Sequence, residues 1–215
     1  MVPLPRFQLP LNGPPSGYGW EECGIPAPSP SRFKIGVHGR DSILGQPRCV
    51  ICGLSGEMVK HCFILKGRSS YYWNRLKDSN WISSQIRNTC TEEPHTGLLL
   101  CSNHHVLFDK YYFFIRYFPE VHKFVFVNYS DQPDQQQFHG KAIALDIKDR
   151  LTPYPSLFVL HEMRVRGYHP QQPLDPDVPD NISWQDWISD GVLKSDVLKG
   201  RNVREVPDTP PCASA

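Results

Sequence analysis

Apolar and strand-forming residues gather in the middle of the chain. "GEMVKHCFILKG" (56–67) is bounded by glycines and rich in β-prone side chains, which predicts a strand. "GLLLCS" (97–102) reads as a second, buried strand. The connection "RSSYYWNRLKDSNWISSQIRNTCTEEPHT" (68–96) is polar with aromatic anchors and has room for one helix. "SNHHVLFD" (102–109) opens on Ser102 and Asn103, residues that cap helix N-termini well, so a short helix is expected there. "YYFFIRYF" (111–118) and "KFVFVNYS" (123–130) are separated by the turn "PEVH", a hairpin pattern. Its alternation is imperfect, which predicts that other elements cover at least one face. "PYPSLFVLHEMRVRGYHP" (153–170) predicts a three-turn helix starting after Pro155.

The flanks lack such patterns. Residues 1–32 hold eight of the 21 prolines and few aliphatic side chains, so they are expected to form an extended arm with little to pack, mobile and removable. Beyond 170, "QQPLDPDVPDN" and "REVPDTPPCASA" read as linker and flexible tail. Between them "SWQDWISDGVLKSDVL" (183–198) predicts a short helix whose Trp184 and Trp187 clamp onto the domain.

Composition narrows the class. With 215 residues the chain can bury one core of ordinary size. A net charge of +1 gives no global field toward nucleic acid or anionic lipid, so polyanion binding would need a local patch. Lys60, Lys66, Arg68, Arg75 and Lys77, interleaved with Tyr71, Tyr72 and Trp73, form such a patch or else a solvated loop anchored on the core. No apolar run is long enough to span a membrane, and the N-terminus has no secretory pattern; an intracellular location, nuclear or cytoplasmic, is expected.

The seven cysteines are an odd number, and two form Cys49-x-x-Cys52, in an intracellular chain more often a metal pair than part of a disulfide framework. Cys101-x-x-His104 repeats the spacing after 48 intervening residues. Thiolate and imidazole ligands suit tetrahedral Zn²⁺, and four protein ligands make a closed, structural site. Cys49, Cys52, Cys101 and His104 are therefore the expected zinc ligands, with Cys62 a core residue and Cys90 a loop thiol. Because adjacent helical residues diverge by ~100°, His105 must face elsewhere. His61, on the strand after the cysteine pair, is its candidate partner.

The order of these parts, a "CxxCG" lead-in, a strand carrying a histidine, "GLLLC", then "xxHH" on a helix, resembles the HNH endonuclease family with its ββα-metal fold. "NHHVLFDKYYFFI", "FHGKAI" and "PSLFVLHEMRV" look especially like the HNH-domain proteins of fungi. The resemblance covers about 33–168 and implies an HNH-like domain over 33–170. The fold class expected is α+β: a zinc-stabilised ββα-metal core with an added β-hairpin and C-terminal helix.

The resemblance implies a one-metal endonuclease hydrolysing DNA phosphodiester bonds, with His61 as general base and His105 helping to hold a catalytic divalent ion, Mg²⁺ or Mn²⁺. Two positions depart from the family. Lys60 stands where a carboxylate or another ligand often precedes the base, and an ammonium repels a cation. Thr96 stands where an asparagine usually orients the base; His95 and Asn88 are substitutes. Asp109, one helical turn after His105, is either the missing anionic ligand or a helix-end residue. His139 and His161 are expected to be structural. Two further readings stay open: a catalytically degenerate HNH-fold zinc module binding nucleic acid or protein, and a repurposed scaffold acting on a small molecule through Lys60 and His61.

Overall fold

A computed structural model describes residues 1–23, 33–66, 69–86, 93–172 and 175–188. Asn88, Cys90, Arg68 and nearly all of the expected C-terminal helix and tail lie outside the described residues; 183–188 form a bridge and a turn.

In chain order the elements are β1 (Val2–Pro3), α1 (Phe33–Arg40), β2 (Ser42–Ile43), β3 (Gln46–Pro47), β4 (Val59–Phe63), α2 (Ser70–Asp78), β5 (Gly97–Cys101), α3 (Ser102–Asp109), β6 (Phe113–Phe118), β7 (Lys123–Asn128), α4 (Pro155–Tyr168) and β8 (Asp177–Val178). The pairings are all antiparallel: β1 with β8, β2 with β3, β4 with β5, and β6 with β7.

The ladder β4–β5 organises the middle of the chain. His61 lies opposite Leu99, and Cys62 opposite Leu98. All five residues of β5 are buried because both of its faces are covered. Leu98 and Leu100 face the main core, while Leu99 packs on Phe33 and Val37 of α1. Gly97 starts the strand where a Cβ would come within 2.5 Å of the Phe33 ring and 2.7 Å of the Cys62 carbonyl. Arg40 and Asp41 stitch α1 to this ladder. The buried guanidinium donates to the carbonyls of Pro94, Gly97 and Leu151, and Asp41 accepts from Leu99 N–H at 2.8 Å.

The hairpin β6–β7 supplies most of the aromatic core, with Phe113, Tyr117, Phe124 and Phe126 buried. α4 lies against β6. Pro155 stands in its first turn, where its missing N–H costs nothing. Buried Glu162 of α4 accepts from Arg116 of β6 and from Arg166, which also reaches Asp175.

The N-terminal residues do have something to pack. Leu4 is 1% exposed and sits among Phe114, Val127, Val165 and Val178, and Phe7, Leu11 and Tyr18 pack on the main core. Its scattered apolar side chains pack on the domain as separate anchors. The Pro5 carbonyl accepts from Arg116, and Arg6 pairs with Asp175 at 2.6 Å. Low aliphatic content therefore did not leave residues 1–23 unpacked. Trp187 clamps as expected: its indole lies over Gly53 and donates to the Ile51 carbonyl at 2.6 Å.

Candidate metal centre

Cys49 and Cys52 sit on a tight knuckle after β3. Cys49 N–H bonds the Leu54 carbonyl, Gly53 N–H bonds the Cys49 carbonyl, and Gly53 adopts φ +74, which closes the turn. Cys101 ends β5 and caps α3: its sulfur, rather than Ser102 or Asn103, accepts the His104 N–H at 3.5 Å. A negative sulfur there also meets the positive end of the helix dipole. Cys101 is thus both the helix cap and one of the four residues that could hold a metal.

The ligand atoms of Cys49, Cys52, Cys101 and His104 all lie within 4.8 Å of one another. Cys52 Sγ to Cys101 Sγ is 3.8 Å; His104 Nδ1 lies 3.6 Å from Cys49 Sγ and 3.2 Å from Cys101 Sγ. Tetrahedral zinc, with Zn–S of about 2.3 Å and Zn–N of about 2.0 Å, places its ligands roughly 3.5–3.8 Å apart. The four residues fit a metal ion of that size. The His104 ring is fixed edge-on by Phe113, Phe126 and Phe138, so hairpin packing orients the ligand. Its Nε2 is buried with no hydrogen-bond partner, which leaves Nδ1 as the functional nitrogen.

Charge in the cluster is shared unevenly. The Cys49 and Cys52 thiols donate toward Cys101, pulling its proton affinity down, whereas burial drives Cys49 up. Burial alone would lower the His104 pKa, but hydrogen bonds and charge from Cys101 and Cys52 push it up to about 9. A metal ion binding here must therefore release protons from both sulfur and imidazole.

The other candidate residues are distributed differently from expectation. His61 and Cys62 take opposite faces of β4. His61 turns to α1, where its Nε2 donates to the Lys34 carbonyl at 3.2 Å and its ring lies near His38 and Phe33. Partial burial lowers its pKa, against the opposing pull of that carbonyl. His105 is on α3, across the ladder, so the structure does not put the two histidines on one face. The strand residue that meets His105 is Cys62, expected to be only a core residue. Cys62, His105 and Asp109 bring their ligand atoms within 4.8 Å of one another. His105 Nε2 is 3.6 Å from Asp109 Oδ2, and Lys66 Nζ reaches that same oxygen at 2.9 Å. Asp109 is the last residue of α3, and its carboxylate is shared between His105 and Lys66. The parity of β4, which puts Cys62 inward once Leu98 and Leu100 are inward, was the available signal for Cys62.

Thr96 is 3% exposed and its hydroxyl donates to the Glu93 carbonyl at 2.7 Å, away from His61. His95 stacks on Tyr154 and bonds the Arg150 carbonyl. Lys60 shares the Cys62 face of the strand and is exposed. In the basic segment, Trp73 is a core residue, Tyr72 lies under Arg164, and Lys77 bonds the Ile86 carbonyl. Tyr71 alone of the three aromatics is broadly exposed. His139 is satisfied by Asn128 N–H and the Asp177 carbonyl. His161 is buried and stacked on Phe108; burial lowers the ring's proton affinity, against the smaller opposing pull of the Phe108 backbone.

Among the described residues no helix is long and apolar enough to cross a membrane. Residues 49–116 match the family model described as HNH endonuclease, a stretch that begins at Cys49 and ends within β6. Comparison with curated proteins and with solved structures gives no match.

Proposed function

Taking the HNH endonuclease family of residues 49–116 as the premise, we propose that this chain is an HNH-type metal-dependent endonuclease that hydrolyses DNA phosphodiester bonds. In this reading Cys49, Cys52, Cys101 and His104 hold a structural zinc that locks the knuckle to the start of α3. β4, β5 and α3 form the ββα-metal core, extended by the β6–β7 hairpin and α4. The single observation that supports activity is the placement of His105 and Asp109 on one turn of α3, 3.6 Å apart and outside the four-ligand cluster. A divalent ion held there would stabilise negative charge on the phosphate. His105 and Asp109 bind and Lys66 and Lys60 attract the polyanion, while service as the base would require His61 to turn from the Lys34 carbonyl toward α3.

A specific observation favours a second reading, a catalytically degenerate zinc module that binds nucleic acid. His61 is turned to α1 and bonded to the Lys34 carbonyl, and the Lys66 ammonium already occupies Asp109. Plasmid cleavage separates the two. Wild type should nick supercoiled DNA in Mg²⁺, Mn²⁺, Co²⁺ or Zn²⁺, and His105→Ala should lose at least 100-fold while keeping its zinc, on the order expected for losing a group that supports the chemical step. No cleavage under any of these ions, with retained DNA binding, favours the degenerate module. Equal cleavage by wild type and His105→Ala removes the α3 site from the reaction.

A further inference from the structure

We propose that Cys62 completes a second metal site with His105 and Asp109, and that its sulfur makes the site select zinc or cobalt over magnesium. The proposal deepens the reading of α3 as the ion-binding element, but it concerns binding and stands without turnover. Three different elements of evidence meet here. Strand parity points Cys62 toward α3, while Lys60, on the same face, is an ammonium and cannot serve as a ligand. The helix offers His105 and Asp109 four residues apart, with 3.6 Å between nitrogen and oxygen, close to the roughly 3.3 Å expected for two light ligands on one tetrahedral ion. The sulfur lies within 4.8 Å of both, so a small rotation of exposed Lys66 leaves three donors around one point.

The surroundings of this cluster are mostly apolar. Asp109 and Lys66 line a small gap together with Phe63, Ile64, Phe108, Tyr111 and His161. His161 borders it from α4, buried and stacked on Phe108. Cys62 has only a long contact to the Phe63 carbonyl, at 3.7 Å.

The ligand set determines the ion. A thiolate is a soft donor that Mg²⁺ disfavours, whereas sulfur, imidazole and carboxylate together suit Zn²⁺ or Co²⁺. Three protein ligands leave the fourth position open for water or a phosphate oxygen, in contrast to the closed four-ligand site. On binding, the Cys62 thiol gives its proton to solvent and the Lys66 ammonium leaves the carboxylate, keeping its own. The sulfur and Asp109 charges then balance the dication.

Cobalt titration of the zinc-loaded full chain tests this. Co²⁺ should bind as one further ion per chain and produce a near-ultraviolet thiolate-to-cobalt charge-transfer band. Cys62→Ala should abolish the band while leaving the first zinc and the melting transition in place. His105→Ala should weaken Co²⁺ at least tenfold, in the ~10–100-fold range seen when the environment of a metal ligand is disrupted. Lys66→Met should tighten it several-fold. A large excess of Mg²⁺ should not compete. An unchanged band in Cys62→Ala, displacement of Co²⁺ by Mg²⁺, or no second ion on the folded, zinc-loaded chain would overturn the proposal. Because no DNA is present, failure of the nuclease reading leaves the result interpretable, and the reverse holds as well.

Discussion

Replacing His161 with leucine gives a calculable change in acid stability. His161 is 2% exposed, its ring stacked on Phe108 at 3.8 Å between centroids, and burial lowers its pKa to about 3. The folded chain therefore keeps this imidazole neutral, while the unfolded chain protonates it near pH 6.5. A folded-state value below the unfolded one means the contribution to stability is whole above about 6.5 and is lost as pH falls toward 3. At 1.36 kcal/mol per pH unit, the loss between pH 7.5 and pH 5.0 is about 2 kcal/mol. His161→Leu removes that term. At neutral pH the variant loses the ring stacking on Phe108, so the reading rests on the pH dependence of the difference and not on its value at one pH. Urea unfolding of both proteins at pH 7.5 and pH 5.0 is the assay. The gap between them should widen by about 2 kcal/mol at the lower pH, or a midpoint difference of around 1 M for m near 2 kcal/mol/M. Other titrating groups, those of Cys49, Cys52, Cys101 and His104 included, are common to both proteins and cancel in the difference. Parallel pH dependence in the two proteins would refute the reasoning, since it would mean His161 is solvated or paired.

Two further outcomes follow from the fold. Cys52→Ser should lose one zinc per chain by elemental analysis and most of its cooperative melting, because structural zinc contributes on the order of the whole ~5–15 kcal/mol stability of a domain; unchanged metal content would contradict the four-ligand cluster. Leu4→Ala should destabilise the chain by about 2–4 kcal/mol in urea, as expected for a buried leucine; a change under about 0.5 kcal/mol would mean the N-terminal segment is not docked.

Much of the architecture was legible in residue order because its determinants are local. The cysteine and cysteine–histidine pairs carry metal spacing within four residues, and Gly53 follows the first pair to close its turn. The β-prone runs on either side of "PEVH" became β6 and β7, and Pro155 stands at the start of α4. Divergence of His104 and His105 on α3 also followed from helical geometry alone.

What only the tertiary structure decided is which elements cover which faces. Alternation along β4 says that His61 and Cys62 part ways, but not which of them meets α3; that depends on α1 folding over the Leu99 face and the core closing on Leu98 and Leu100. The capture of the proline-spaced N-terminal residues depends on Arg116, Val165 and Val178, which lie more than a hundred residues away. Burial of Thr96 and His161 and the Lys66–Asp109 pair are likewise products of packing between distant segments. Spacing records the chemistry a short segment can offer; burial and partners are properties of surfaces that exist only after the chain has closed on itself.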